Sequence, residues 1–172
     1  KETEALMAQI LYIIVFIYLV SEHPEKALNL LDELSYKVSN SNKKNIRYIK
    51  KKIPQRYLDA YIGILQVKTN KNKYYKDGLL LQETKEMIIH ALKYLEDNYK
   101  KSLIQQKEFV LYKDCLLNYQ ALNYYDYNEL DLAIDSINKI SNMPDNSLAK
   151  KLNLAFLYAN KGEYRQSYII YC

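Results

Sequence analysis

Three glycines and three prolines are all that punctuate this chain of 172 residues. That is about 3.5% of the sequence, where globular proteins average about 12%. Glycine and proline make the tight turns of sheet proteins, so their scarcity argues against a many-stranded sandwich or barrel. The glycines stand at 63, 78 and 162, too far apart for either GxGxxG or a P-loop. With 49% hydrophobic and 26% charged residues the chain is too apolar to be disordered, and its length suits one domain with a real core. Long helices joined by few turns remain.

Helical periodicity runs almost throughout, with strand-like alternation nearly absent. The spacing predicts helices over about 3–20 and 24–39, with Pro24 suited to a first turn and Leu28, Leu31 and Leu34 forming a stripe. Residues 40–44 read as a loop. A third helix is expected over 45–68, carrying Ile46, Ile49, Ile53, Tyr57, Tyr61 and Ile64, with Pro54 kinking or restarting it. The polar, basic stretch 69–76 reads as a connector. Further helices are expected over 78–99, 102–126, 129–141 and 148–160, with a turn at 142–146 and an eighth helix beginning near Glu163. The chain begins without Met and stops inside that last helix, so both ends read as cut from something longer.

The run Ile10–Val20 is uninterruptedly apolar. Eleven residues span about 16 Å as a helix, half a bilayer core, and Glu2 and Glu4 precede it where a signal peptide wants positive charge. The expectation is a buried core helix, with no membrane as partner. Cys115 and Cys172 are the two cysteines in a chain long enough to need no staple, which fits a reducing, cytoplasmic setting.

Sliding the chain by 34 residues lays 114–138 on 148–172. Ala121 falls on Ala155, Tyr124 on Tyr158, Asn128 on Gly162, Glu129 on Glu163, Ala133 on Ser167 and Ile137 on Tyr171. Small residues at the first and fifth of these pairs let two helices approach closely. Asn128 and Gly162 tolerate the left-handed backbone that turns the chain between them. The pattern resembles the tetratricopeptide repeat (TPR), most clearly over 153–171 and 117–140. Ser167 stands where that family keeps alanine, and Met143-Pro144 lies about where it keeps its proline. Residues 8–41 fit more loosely, with bulky Val15 at a small position, and 45–99 is out of register. The resemblance implies an all-α protein of antiparallel helix–turn–helix pairs, about eight helices stacked as a TPR-like α-solenoid in a single domain.

No HExxH, CxxC or GxSxG occurs, and His23, His90 and Cys115 lie too far apart to advertise a metal site. Asp131 and Asp135 are four apart on a helix, but Lys139 follows four later, the spacing of an ordinary solvated ion pair. The expectation is a non-enzyme with no cofactor and no metal. The 19 tyrosines fit between stacked helices, ring inside and hydroxyl at the rim.

In such a stack the first helix of each pair lines a concave surface that binds an extended peptide or a partner's helix. The repeat register places Cys115, Asn118, Leu122 and Tyr125 there, then Ala149, Leu152, Phe156 and Ala159 with Asn153 at the edge. The binding residues expected are Asn118, Leu122, Tyr125, Leu152, Asn153 and Phe156. Some family members clamp a chaperone's C-terminal carboxylate with basic residues at positions held here by Asn118, Leu122, Ala149 and Asn153, so no chaperone-tail binding is expected. The resemblance extends to the peptide-pheromone sensor domains of bacterial transcriptional regulators. A separate class is suggested by charge: from Lys43 to Lys76 eleven cationic residues face one acid, Asp59, a local +10, which leaves −5 for the rest of a chain of net +5. Lys43, Lys44, Arg47, Lys50 and Lys51 form a basic patch suited to nucleic acid or an acidic protein surface.

Overall fold

The computed structural model describes residues 2–39, 44–75, 77–143 and 147–171. Among them the protein is all-α, in eight helices: α1 (Glu2–Val20), α2 (Pro24–Ser39), α3 (Lys44–Tyr75), α4 (Gly78–Lys100), α5 (Gln106–Asp126), α6 (Leu130–Asn138), α7 (Leu148–Asn160) and α8 (Tyr164–Tyr171). Each helix packs on the next, and α3 also packs on α1 and on α5.

Apolar spacing decides which face of each helix is buried. On α2, Ala27, Leu31, Leu34 and Val38 recur at four- and three-residue steps and are no more than 1% exposed. Ile46, Ile49 and Ile53 recur at three- and four-residue steps on α3 and are 2–6% exposed. The larger core joins α1 to α5 around Val15, Leu31, Leu58, Leu95 and Leu116. A second core, with Ala121, Ala133, Ile134, Ile137 and Leu157, joins α5, α6 and α7. Each large side chain so enclosed contributes about 1.5–3 kcal/mol.

Four connections share one turn. Glu22, Ser102, Asn128 and Gly162 all have left-handed φ, between 56° and 84°. The N–H of the following residue reaches back over the turn: His23 donates to the Tyr18 carbonyl, Leu103 to Asn98, Glu129 to Tyr124 and Glu163 to Tyr158, at 2.8–3.0 Å. This bond closes the last helical turn and satisfies carbonyls that would otherwise be orphaned. The turns at Asn128 and Gly162 are those expected from sequence. Glu22 and Ser102, which carry a Cβ, were not legible as such.

Several expectations are corrected. The stretch 69–75 continues α3 rather than forming a connector, with Asn70 and Lys71 exposed on it; Lys76 lies outside the described residues. Pro54 does not restart the helix, which runs through it without a break. α5 begins at Gln106, not near 102, because Ser102 turns left-handed and Gln105 and Glu108 form a capping box. α6 ends at Asn138 rather than 141. Of the loop expected over 40–44, Lys44 is helical and 40–43 lie outside the described residues; so do 144–146 of the turn expected at 142–146.

The expectation of a buried core helix at the N-terminal end holds for one face only. Ala8, Leu11 and Val15 are buried, whereas Leu6, Ile10, Ile13, Ile17 and Val20 are 44–67% exposed. α1 sits at the end of the row, where α2 and α3 cover a single side. Thr3–Val20 is long and apolar enough to cross a membrane, with 17% of it buried.

Candidate functional site

On α3 the residues Arg56, Asp59, Gly63, Gln66 and Asn70 follow one another at steps of three and four, so they share one helix face. That face looks onto the C-terminal half of α1 across a cavity of about 470 Å³, whose α1 side is apolar, with Phe16, Leu19 and Val20. The cavity closes against α2 at Gly63, where a Cβ would stand 2.8 Å from Cβ of Pro24 at the start of α2. Glycine is needed there for space.

The polar groups of this face tie three helices together. Arg56 Nη1 donates to Asp59 Oδ2 at 2.9 Å, and Arg56 Nε donates to the Tyr12 hydroxyl of α1 at 3.3 Å. The guanidinium also lies 5.8 Å from the Tyr12 ring centre and 5.5 Å from that of Phe16. From α5, Tyr112 Oη donates to the other Asp59 oxygen at 2.7 Å. Burial works against the charge of Arg56, but its bonds to Tyr12 and Asp59 outweigh this and hold its pKa above the ordinary value. Burial, then Asp59, push the Tyr112 phenol well up. At neutral pH Arg56 is therefore held as a cation and Tyr112 as a neutral phenol, and the Arg56 fork keeps donors to spare for a carbonyl or carboxylate.

A second polar cluster lies where α2, α3 and α4 meet. Tyr57 Oη donates to Asp32 Oδ1 at 2.5 Å, and Tyr61 Oη sits 3.1 Å from His90 Nε2 with its ring edge-on to the imidazole. Burial, then Asp32, raise the pKa of Tyr57 and Tyr61. Lys68 pairs with Glu83 across the same surface.

The residues expected to bind a partner fall in two places. Asn118 and Tyr125 are half-buried on α5 and Leu122 is exposed. On α7, Leu152, Asn153 and Phe156 are exposed. The two sets meet where the Tyr125 and Phe156 rings stand 5.3 Å apart. Leu152, Phe156 and Ala159 also line a cleft of about 410 Å³ against α8. Burial raises the pKa of the half-buried Cys115 thiol, and Ala149 is exposed. The Arg56–Asp59 face is not among the residues the sequence singles out, although its three-and-four spacing is visible there, because the apolar stripe of the same helix has the same period.

In the basic patch, Arg47, Lys50 and Lys51 are exposed, opposite buried Ile46, Ile49 and Ile53. Lys50 Nζ donates to the Ser39 carbonyl at the end of α2. Of Lys44 only the helical backbone is described, and Lys43 lies outside the described residues. Asp135 pairs with Lys139, and Asp131 with Lys161 at 2.8 Å, as exposed ion pairs. Among the described residues no three His, Cys, Asp or Glu come together in a metal-binding group. Compared with family models, curated proteins and solved structures, the chain matches none.

Proposed function

We propose that this chain is a non-catalytic scaffold, a TPR-like stack of helical hairpins that binds a protein or peptide partner along the face of its odd-numbered helices. The observation that carries the reading is the cavity between α1 and α3. Apolar Phe16, Leu19 and Val20 of α1 stand opposite a row of Arg56, Gln66 and Asn70, donors and amides that can hold a peptide backbone while the apolar wall takes a side chain. Support for a repeat comes from the 34-residue correspondence: Ala121, Ala133 and Ala155 are buried, and Asn128 and Gly162 make the same left-handed turn. Selection of random displayed peptides on the chain tests this. Selected peptides should lose at least tenfold in affinity to the Gln66→Ala/Asn70→Ala variant; peptides indifferent to it would refute the groove.

A second reading rests on Arg47, Lys50 and Lys51, exposed together on the first turns of α3. Contact with nucleic acid through them would weaken steeply with salt. Titration of labelled DNA and RNA at two ionic strengths tests it, and absence of binding at low salt dismisses it.

A further inference from the structure

Three of the residues lining the α1–α3 cavity are charged: Glu22, Arg56 and Asp59. Asp59 is fully engaged, with Arg56 on one oxygen and Tyr112 on the other. Arg56 gives one N–H to Asp59 and one to Tyr12, and its other N–H groups have no acceptor among the described residues. The Glu22 side chain makes no hydrogen bond or ion pair among the described residues. Lys26, four positions on, lies over the Tyr18 ring instead.

The two unused charges stand at different levels of the cavity. Arg56 is level with Tyr12 and Phe16, which its guanidinium meets. Glu22 is level with Gly63, because the turn it makes delivers Pro24 onto that glycine. Arg56 and Gly63 are seven residues apart on α3, which is about 10 Å along the helix axis. An extended chain covers that distance in about three residues. The turn itself does not require glutamate. Glu22 makes it at φ of 59°, a conformation that Asn128 and Gly162 adopt with less strain in the corresponding turns.

Resting on the peptide-binding reading of this cavity, we infer that its occupant is an extended segment of a protein partner carrying one acidic and one basic side chain around an apolar residue. The acidic group meets the unused donors of Arg56, the basic group meets Glu22, and the apolar side chain lies against Phe16 and Val20. The 10 Å offset sets the two charges about two to four positions apart in the partner. An unpaired carboxylate at the rim repels phosphate, so nucleic acid is disfavoured at this cavity.

The test selects displayed peptides on the 172-residue chain and measures synthetic copies of the binders, with blocked termini, by fluorescence anisotropy. Peptides whose binding needs Gln66 and Asn70 should carry the acidic–apolar–basic pattern in one direction or the other. Glu22→Asn removes the carboxylate and suits the turn better. It should weaken these peptides about fivefold while the chain melts at the same temperature or higher. Glu22→Lys should weaken them about tenfold, and exchanging the peptide's basic residue for glutamate should restore most of that loss on this variant alone. Peptides that need Gln66 and Asn70 but bind both Glu22 variants as well as the wild type would overturn the charge pattern and leave the groove standing. If no selected peptide needs Gln66 and Asn70, the groove and the charge pattern fall together.

Discussion

Tyr112 of α5 donates its hydroxyl proton to the Asp59 oxygen of α3 that Arg56 leaves unused. Both carboxylate oxygens are thereby engaged, one from within α3 and one from the next odd helix. Tyr112→Phe keeps the ring and strands one oxygen of Asp59. Stability should fall by about 1.5–3 kcal/mol, the usual worth of a hydrogen bond to a charged group.

The same bond has an alkaline signature. The Tyr112 pKa is raised by burial, then by Asp59. The phenol's contribution is thus fully present below the pKa of an unfolded tyrosine, about 10, and is lost as pH rises toward the folded value. Denaturant unfolding at successive pH values should show wild-type stability declining above about pH 10. The decline should be shallower in Tyr112→Phe.

Gly63 faces the rigid ring of Pro24. An alanine there gains about 1 kcal/mol of helix propensity but forces an overlap that costs about 1–3 kcal/mol. The net effect should be destabilisation, with the midpoint of thermal unfolding lowered by a few degrees. At Gly78 a Cβ meets nothing within 4 Å, so Gly78→Ala should be neutral or stabilising.

The left-handed turns give an opposed pair. Gly162→Ala puts a Cβ at φ of 84° and should cost about 1–2 kcal/mol. Ser102→Gly removes a Cβ at φ of 56° and should add about 0.5–1 kcal/mol. Thermal melts of both variants check the sign as well as the size.

Ala133 is fully enclosed where α6 meets its neighbours, while adjacent Leu132 is 45% exposed. Ala133→Leu should destabilise by about 1–3 kcal/mol through overpacking, and Leu132→Ala should stay within about 0.5 kcal/mol. Equal effects would mean that the small residue is not needed at that crossing.

The sequence made α2 and α7 legible to the residue, since Pro24 and Ser147 begin them and their apolar stripes have a clean period. It misled at 69–75, where polar residues such as the exposed Asn70 and Lys71 suit a helix as well as a loop. It misled again on α1, because a wholly apolar helix looks the same whether one side or all of it is covered; only the neighbours α2 and α3 decide that. The polar cross-links were the hardest to foresee. Tyr112 and Asp59 are 53 positions apart, and Asp114, which accepts the backbone N–H groups of Ser141 and Asn142, looks in sequence like any surface acid.

Hydrogen-exchange footprinting with a selected peptide tests the central proposal most directly. Occupation of the odd-helix groove predicts added protection in the C-terminal half of α1 and in α3 from Arg56 to Asn70, with α2 and α4 unchanged. Protection confined to α2 and α4, or to the basic first turns of α3, would contradict it.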